Sequence, residues 1–146
     1  MAKKTFRLEQ VLNYRKEVEK VRTIEFSAAK EQFEDASDDL QREENAAEQV
    51  SEELRGREQQ GISALEWQIY TSFFERKNRE IREKREEVVT LEKDMMEKRE
   101  ELLHASREKK VLENLKEKKM ALHQREQLEK ERAFLDEIAV QNYRRG

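Results

Sequence analysis

From Phe26 onward, apolar residues return at alternating steps of three and four: Phe26, Ala29, Phe33, Ala36, Leu40, then Glu43, then Ala47, Val50 and Leu54. This spacing lays one stripe along a helix and describes a heptad seam in which Glu43 is the charged member. Upstream, Leu8, Val11, Arg15, Val18 and Arg22 continue the stripe, and joining them to Phe26 takes two successive steps of four. Such a stutter locally unwinds a left-handed supercoil. The two arginines make this stretch a poorer partner for another helix than the turns that follow.

A second stripe reads Ile81, Lys84, Val88, Leu91, Met95, Lys98, Leu102, Ala105, Lys109 and Leu112. Its lysines can cover apolar surface with their methylenes while the ammonium reaches water. Beyond Leu112 the stripe drifts through Leu115 and Leu122 and weakens to Leu128, Leu135 and Ile138. Ser63 and Glu66 have the S-x-x-E spacing of a capping box and mark the start of this second helix. The chain has no proline, and Gly56 and Gly61 are its only interior glycines, so one sharp reversal is permitted and it lies before the midpoint.

The pattern predicts an all-α fold: a long antiparallel two-helix coiled-coil hairpin with a C-terminal helical overhang. It forms a single unit over residues 1–146, with a first arm over about 5–56, a turn over about 57–62 and a second arm over about 63–142. Pairing around residue 59 sets residues 8–22 beside roughly 96–110 and leaves everything past about 115 overhanging. Paired arms of that length span ~75–80 Å, a rod with a single-helix tail.

Composition agrees with a narrow seam. With 35% hydrophobic and 45% charged residues, the chain has too little apolar side chain for a globular core of this length. The absence of cysteine excludes a disulfide scaffold and a thiolate metal site. No apolar run approaches the ~20 residues of a membrane span, and Met1-Ala2-Lys3-Lys4-Thr5 leads into no secretory signal, so the expected address is cytoplasmic.

Charge is uneven along the chain. Residues 1–22 hold seven Lys or Arg against three acids, and residues 107–125 again seven against three, a balance of +4 in each. Residues 34–58 hold ten acids against three arginines, a balance of −7. Hairpin pairing brings the two basic stretches together at the open end and leaves the first arm acidic toward the turn.

The residues exclude several chemistries. His104 and His123 stand outside any H-E-x-x-H spacing and read as solvated helix-surface histidines; no metal site is expected. No glycine-rich loop is present to cradle phosphates, the carboxylates are too exposed for acid–base work, and neither an enzyme nor a cofactor is expected. Interleaved acids and a net charge of −3 argue against nucleic acid, and the apolar content is too low for a membrane-surface helix. A protein surface is the better partner. The aromatic cluster Trp67, Tyr70, Phe73 and Phe74 either plugs the turn or contacts such a partner: Trp67, Tyr70 and Phe74 share a stripe, Phe73 points elsewhere, and a two-helix seam cannot take both phenylalanines.

The opening Phe6-Arg7-Leu8-Glu9 with Val11-Leu12 and Arg15, and the later Leu112-Glu113-Asn114-Leu115-Lys116-Glu117 and Leu135-Asp136-Glu137-Ile138-Ala139, resemble the FliJ family of the bacterial flagellar type III export apparatus. The two arms satisfy each other's seams within one chain, so a monomer is expected, and the resemblance implies a soluble, non-enzymatic component similar to the central stalk of rotary ATPases. It implies binding to the export ATPase, to the membrane export gate and to substrate chaperones, and a peripheral place at the cytoplasmic membrane. On that reading Arg7, Leu8, Arg15, Lys16, Lys109, Lys110, Lys116 and Lys119 meet the ATPase ring, while Trp67, Tyr70, Phe73 and Phe74 contact the gate or another partner at the turn. The alternatives are a generic coiled coil that homodimerises and a prefoldin-like or secretion-chaperone hairpin that grips clients with apolar tips.

Overall fold

Two long helices make up the protein in a computed structural model that describes residues 2–145, with side chains from residue 8 onward: α1 (Ala2–Gln60) and α2 (Ala64–Arg145). No strand occurs among the described residues, and the two helices form the expected all-α hairpin.

The turn takes only three residues. α1 runs through Gly56, and its last turn closes with the Gly61 amide donating to the Glu58 carbonyl at 3.3 Å. Gly61 has a φ of 91°, a left-handed conformation that side chains with a Cβ rarely adopt, and it ends α1 as a helix C-terminal glycine does. Ser63 then caps α2: its hydroxyl accepts from the Glu66 amide at 3.2 Å, and its carbonyl accepts from the Trp67 amide at 3.0 Å. The Glu66 carboxylate lies 3.8 Å from Arg57 across the turn.

The contacts divide the hairpin into two parts, residues 21–102 and residues 1–20 with 103–146. In the first part, Ala29 and Ile81 are buried, and Phe33, Ala36, Leu40, Val88, Leu91 and Met95 are half-buried along the stripes read from sequence. Glu43 occupies its seam position and is neutralised by Lys77 and by Lys84, the latter at 3.8 Å. Tyr70 with Glu53 and Arg22 with Glu101 are cross-helix pairs whose numbers each add to 123. The register is therefore centred on Gly61 and Ile62, a few residues later than residue 59. The reason is that Gly56, although conformationally permissive, costs a long helix only about 1 kcal/mol and does not end it.

In the second part the observed seam differs from the apolar reading. Leu12 is buried to 2% exposure while Val11 stands 46% exposed. Leu8, Leu12, Arg15, Glu19 and Arg22 lead to Phe26 in unbroken steps of four and three, so α1 has no stutter. On α2, Ala105, Lys109, Leu112 and Lys116 keep the same alternation, and Leu115 lies off it, exposed. In both helices a charged residue with a cross-helix partner takes the seam in preference to a neighbouring apolar one. From Glu117 to Arg145 every residue of α2 is exposed, the expected overhang.

Candidate interaction surfaces

Periodicity sends Arg15 and Glu19 of α1 toward α2, where carboxylates and ammonium groups wait at matching positions. Arg15 donates to Glu108, whose other oxygen lies 2.9 Å from His104. Lys109 donates to Glu19 at 2.9 Å, and Lys116 pairs with Glu9. The Lys109 hydrogen bond holds the Glu19 carboxyl below the usual carboxylate range, against the opposing effect of burial. Glu19 in turn raises Lys109 above its ordinary value.

This pairing sorts the sequence-derived cations into two sets. Arg15, Lys109 and Lys116 have their charge balanced inside the seam, and Leu8 is half-buried beside them. Lys16, Lys110 and Lys119 are exposed and form no ion pair among the described residues. The side chain of Arg7 lies outside the described residues. Telling the two sets apart requires the register, because Glu9, Glu19 and Glu108 sit close in number to cations other than those they neutralise.

Near the turn, Tyr70 and Phe74 are half-buried on the seam side, and the Tyr70 hydroxyl donates to Glu53 at 3.4 Å. Trp67 is 49% exposed and stands at the edge of that stripe. Phe73 meets Phe74 edge to face, centroids 5.5 Å apart at 74°, so the two rings buttress each other and both are half-buried. Its other side opens onto a shallow groove formed with Leu65, Ile69 and Arg76, the guanidinium lying 6.0 Å from the Phe73 ring. The i, i+4, i+8 spacing of Leu65, Ile69 and Phe73 signals this outer stripe in the sequence, although the four aromatic residues alone do not include its two aliphatic members.

No group of acidic or histidine side chains able to hold a metal ion occurs among the described residues, and no helix of them is long and apolar enough to cross a membrane. The hairpin is a two-helix coiled coil that settles its inner charges, leaves Lys16, Lys110 and Lys119 exposed, and carries a shallow groove in which Gln68, Ser72 and Arg76 accompany Leu65, Ile69 and Phe73. Residues 3–146 match the family of the flagellar FliJ protein, and the chain belongs to that family. It is thus a component of the flagellar protein export apparatus. No curated protein and no solved structure gives a match to the chain.

Proposed function

We propose that this protein is a central-stalk-like element of the export apparatus that binds the export ATPase ring with its basic open end and contacts the export gate through the face beside the turn. The observation that carries the reading is the set of exposed cations that form no ion pair among the described residues, Lys16, Lys110 and Lys119. Basic side chains of this kind favour an acidic protein surface and speed encounter with it. Arg15, Lys109 and Lys116 shape the end by locking the two helices together, and on this reading Arg7 and Leu8 are further ring contacts.

At the turn, Phe73 and Trp67 supply apolar contact area while Tyr70 and Phe74 hold them in place from the seam. Substrate chaperones are the third class of partner on this reading. The protein works as a monomer, peripheral to the cytoplasmic membrane through the apparatus.

The deciding experiment measures ATP hydrolysis by the export ATPase with and without the full chain. Stimulation by wild type, lost on joint reversal of Lys16, Lys110 and Lys119 to glutamate, is the expected result. Unchanged stimulation by the triple variant sinks the electrostatic reading of the ring contact.

A further inference from the structure

Arg15 contacts more than its salt-bridge partner. Its guanidinium carbon lies 5.6 Å from the centre of the Tyr14 ring while its Nη1 donates to Glu108, which fixes Tyr14 of α1 and Glu108 of α2 on the same side of the seam. Helical periodicity extends that side in both helices. On α1, Val11 and Val18 lie three and four residues from Tyr14, and on α2, Val111 and Leu115 lie three and seven from Glu108. Tyr14 is 62% and Val111 65% exposed, with Val11 and Leu115 exposed as well. The two helices thus share an apolar face that is exposed at Val11, Tyr14, Val111 and Leu115 and half-buried at Val18.

The unpaired charge beside this face is positive. Arg107 and Lys118 flank the face, exposed and without an ion pair among the described residues. Its carboxylates have cationic partners within the chain, Glu108 in a half-buried pair with Arg15 and Glu17 in an exposed pair with Lys20 at 3.3 Å. Lys16 and Lys110 belong to the opposite side of the seam, since they follow Arg15 and Lys109 where Tyr14 and Glu108 precede them.

We infer that this face receives a third helix from a partner protein, an amphipathic helix with an apolar stripe at three-and-four spacing flanked by aspartate and glutamate. Its apolar stripe lies over Val11, Tyr14, Val111 and Leu115, and its acids meet Arg107 and Lys118. The complementarity between an apolar floor and a basic rim selects an acidic helix over a basic one.

The test uses the full chain and two labelled synthetic peptides about three heptads long, with leucine at a and d and either glutamate or lysine elsewhere. Anisotropy is read at ~0.15 M salt, where the screening length of about 8 Å separates the two sides. The glutamate peptide binds at least about tenfold more tightly than the lysine peptide, and Leu115→Glu or Lys118→Glu each weakens it by about tenfold. These substitutions are at exposed positions, so the melting temperature stays at the wild-type value. Lys16→Glu with Lys110→Glu leaves peptide affinity intact, which separates this face from the proposed ATPase contact. Equal binding of the two peptides, no binding, or an equal loss on reversing Lys16 and Lys110 overturns the inference. So does sedimentation that shows wild-type dimers abolished by Leu115→Glu, because the occupant is then a second copy of this chain.

Discussion

The Lys109 ammonium donates to the Glu19 carboxylate at 2.9 Å, and both residues belong to the stripes that close the hairpin. Seam positions usually hold apolar side chains, because the partner helix removes them from water. Here the polar pair is sustained by position: each side chain is only about a quarter exposed, and each satisfies the other. Replacing Glu19 takes from the partly buried Lys109 ammonium its hydrogen-bonded carboxylate, and replacing Lys109 takes from Glu19 its main source of compensating charge, although Ser106 still hydrogen-bonds it. Glu19→Leu and Lys109→Leu are each expected to lower the melting temperature, and the double variant to recover it or exceed wild type. A double variant less stable than either single one contradicts the pairing.

Acidity tests the same pairs. Hydrogen bonding from Lys77 and Lys109 lowers Glu43 and Glu19, respectively, below the ordinary carboxylate value of 4.5. A carboxyl whose folded value lies below its unfolded one stabilises fully above the unfolded value, and loses that contribution as pH falls through the folded value. Lys109 is raised above 10.5, so its contribution is complete below that value and disappears as pH rises through the raised one. The expected melting profile is flat through neutrality and falls at both extremes. Glu19→Gln and Glu43→Gln should flatten the acid limb, and an unchanged limb counts against the pairs.

Leu12 and Val11 decide the register. Leu12→Ala removes a fully buried side chain and is expected to cost about 2–4 kcal/mol, whereas Val11→Ala stays within about 0.5 kcal/mol. Chemical denaturation of the two variants reads the difference directly. The reverse order restores the stutter.

Much of the hairpin is legible in the spacing of its residues. Phe26 to Leu54 and Ile81 to Leu112 keep the heptad alternation, and Ser63 with Glu66 marks the start of α2. The beginning of α1 is harder, because giving the seam to every apolar residue on offer selects Val11 and Val18 over Leu12 and Glu19. Only the latter two keep the alternation unbroken into Phe26. A charged seam residue becomes legible once its partner's register is known, and that register hinges on which glycine ends α1. The same register decides which basic side chains are already neutralised and which apolar ones, such as Tyr14 and Val111, face outward.

The two glycines near the turn should respond oppositely to alanine. A Cβ on Gly56 meets no atom within 4 Å, and the residue lies inside α1, so Gly56→Ala is expected to stabilise by about 0.5–1 kcal/mol. Gly61 has the same open space but a φ of +91°, so Gly61→Ala is expected to destabilise by about 1 kcal/mol or more. Equal effects contradict the placement of the turn.

Phe73 and Phe74 separate stability from contact. Phe74 lies on the seam side with Tyr70, so Phe74→Ala should lower the melting temperature clearly. Phe73 opens onto the groove with Leu65 and Ile69, so Phe73→Ala should lower it less while weakening the proposed gate interaction more. Thermal melts paired with gate pull-down give both readings, and a larger thermal loss at Phe73 reverses the assignment.

The order in which contacts become possible during synthesis follows from the three-residue turn. Tyr70 trails Glu53 by 17 residues, but Lys109 trails Glu19 by 90. At roughly 5–20 residues per second, Glu19 waits on the order of 5–20 s on the ribosome before its partner exists. An apolar stripe left uncovered for that time invites association with other nascent chains. Arg15, Glu19 and Arg22 instead keep the waiting segment hydrated, so the charges that weaken its seam as a hydrophobic contact protect it until the chain is long enough to fold back.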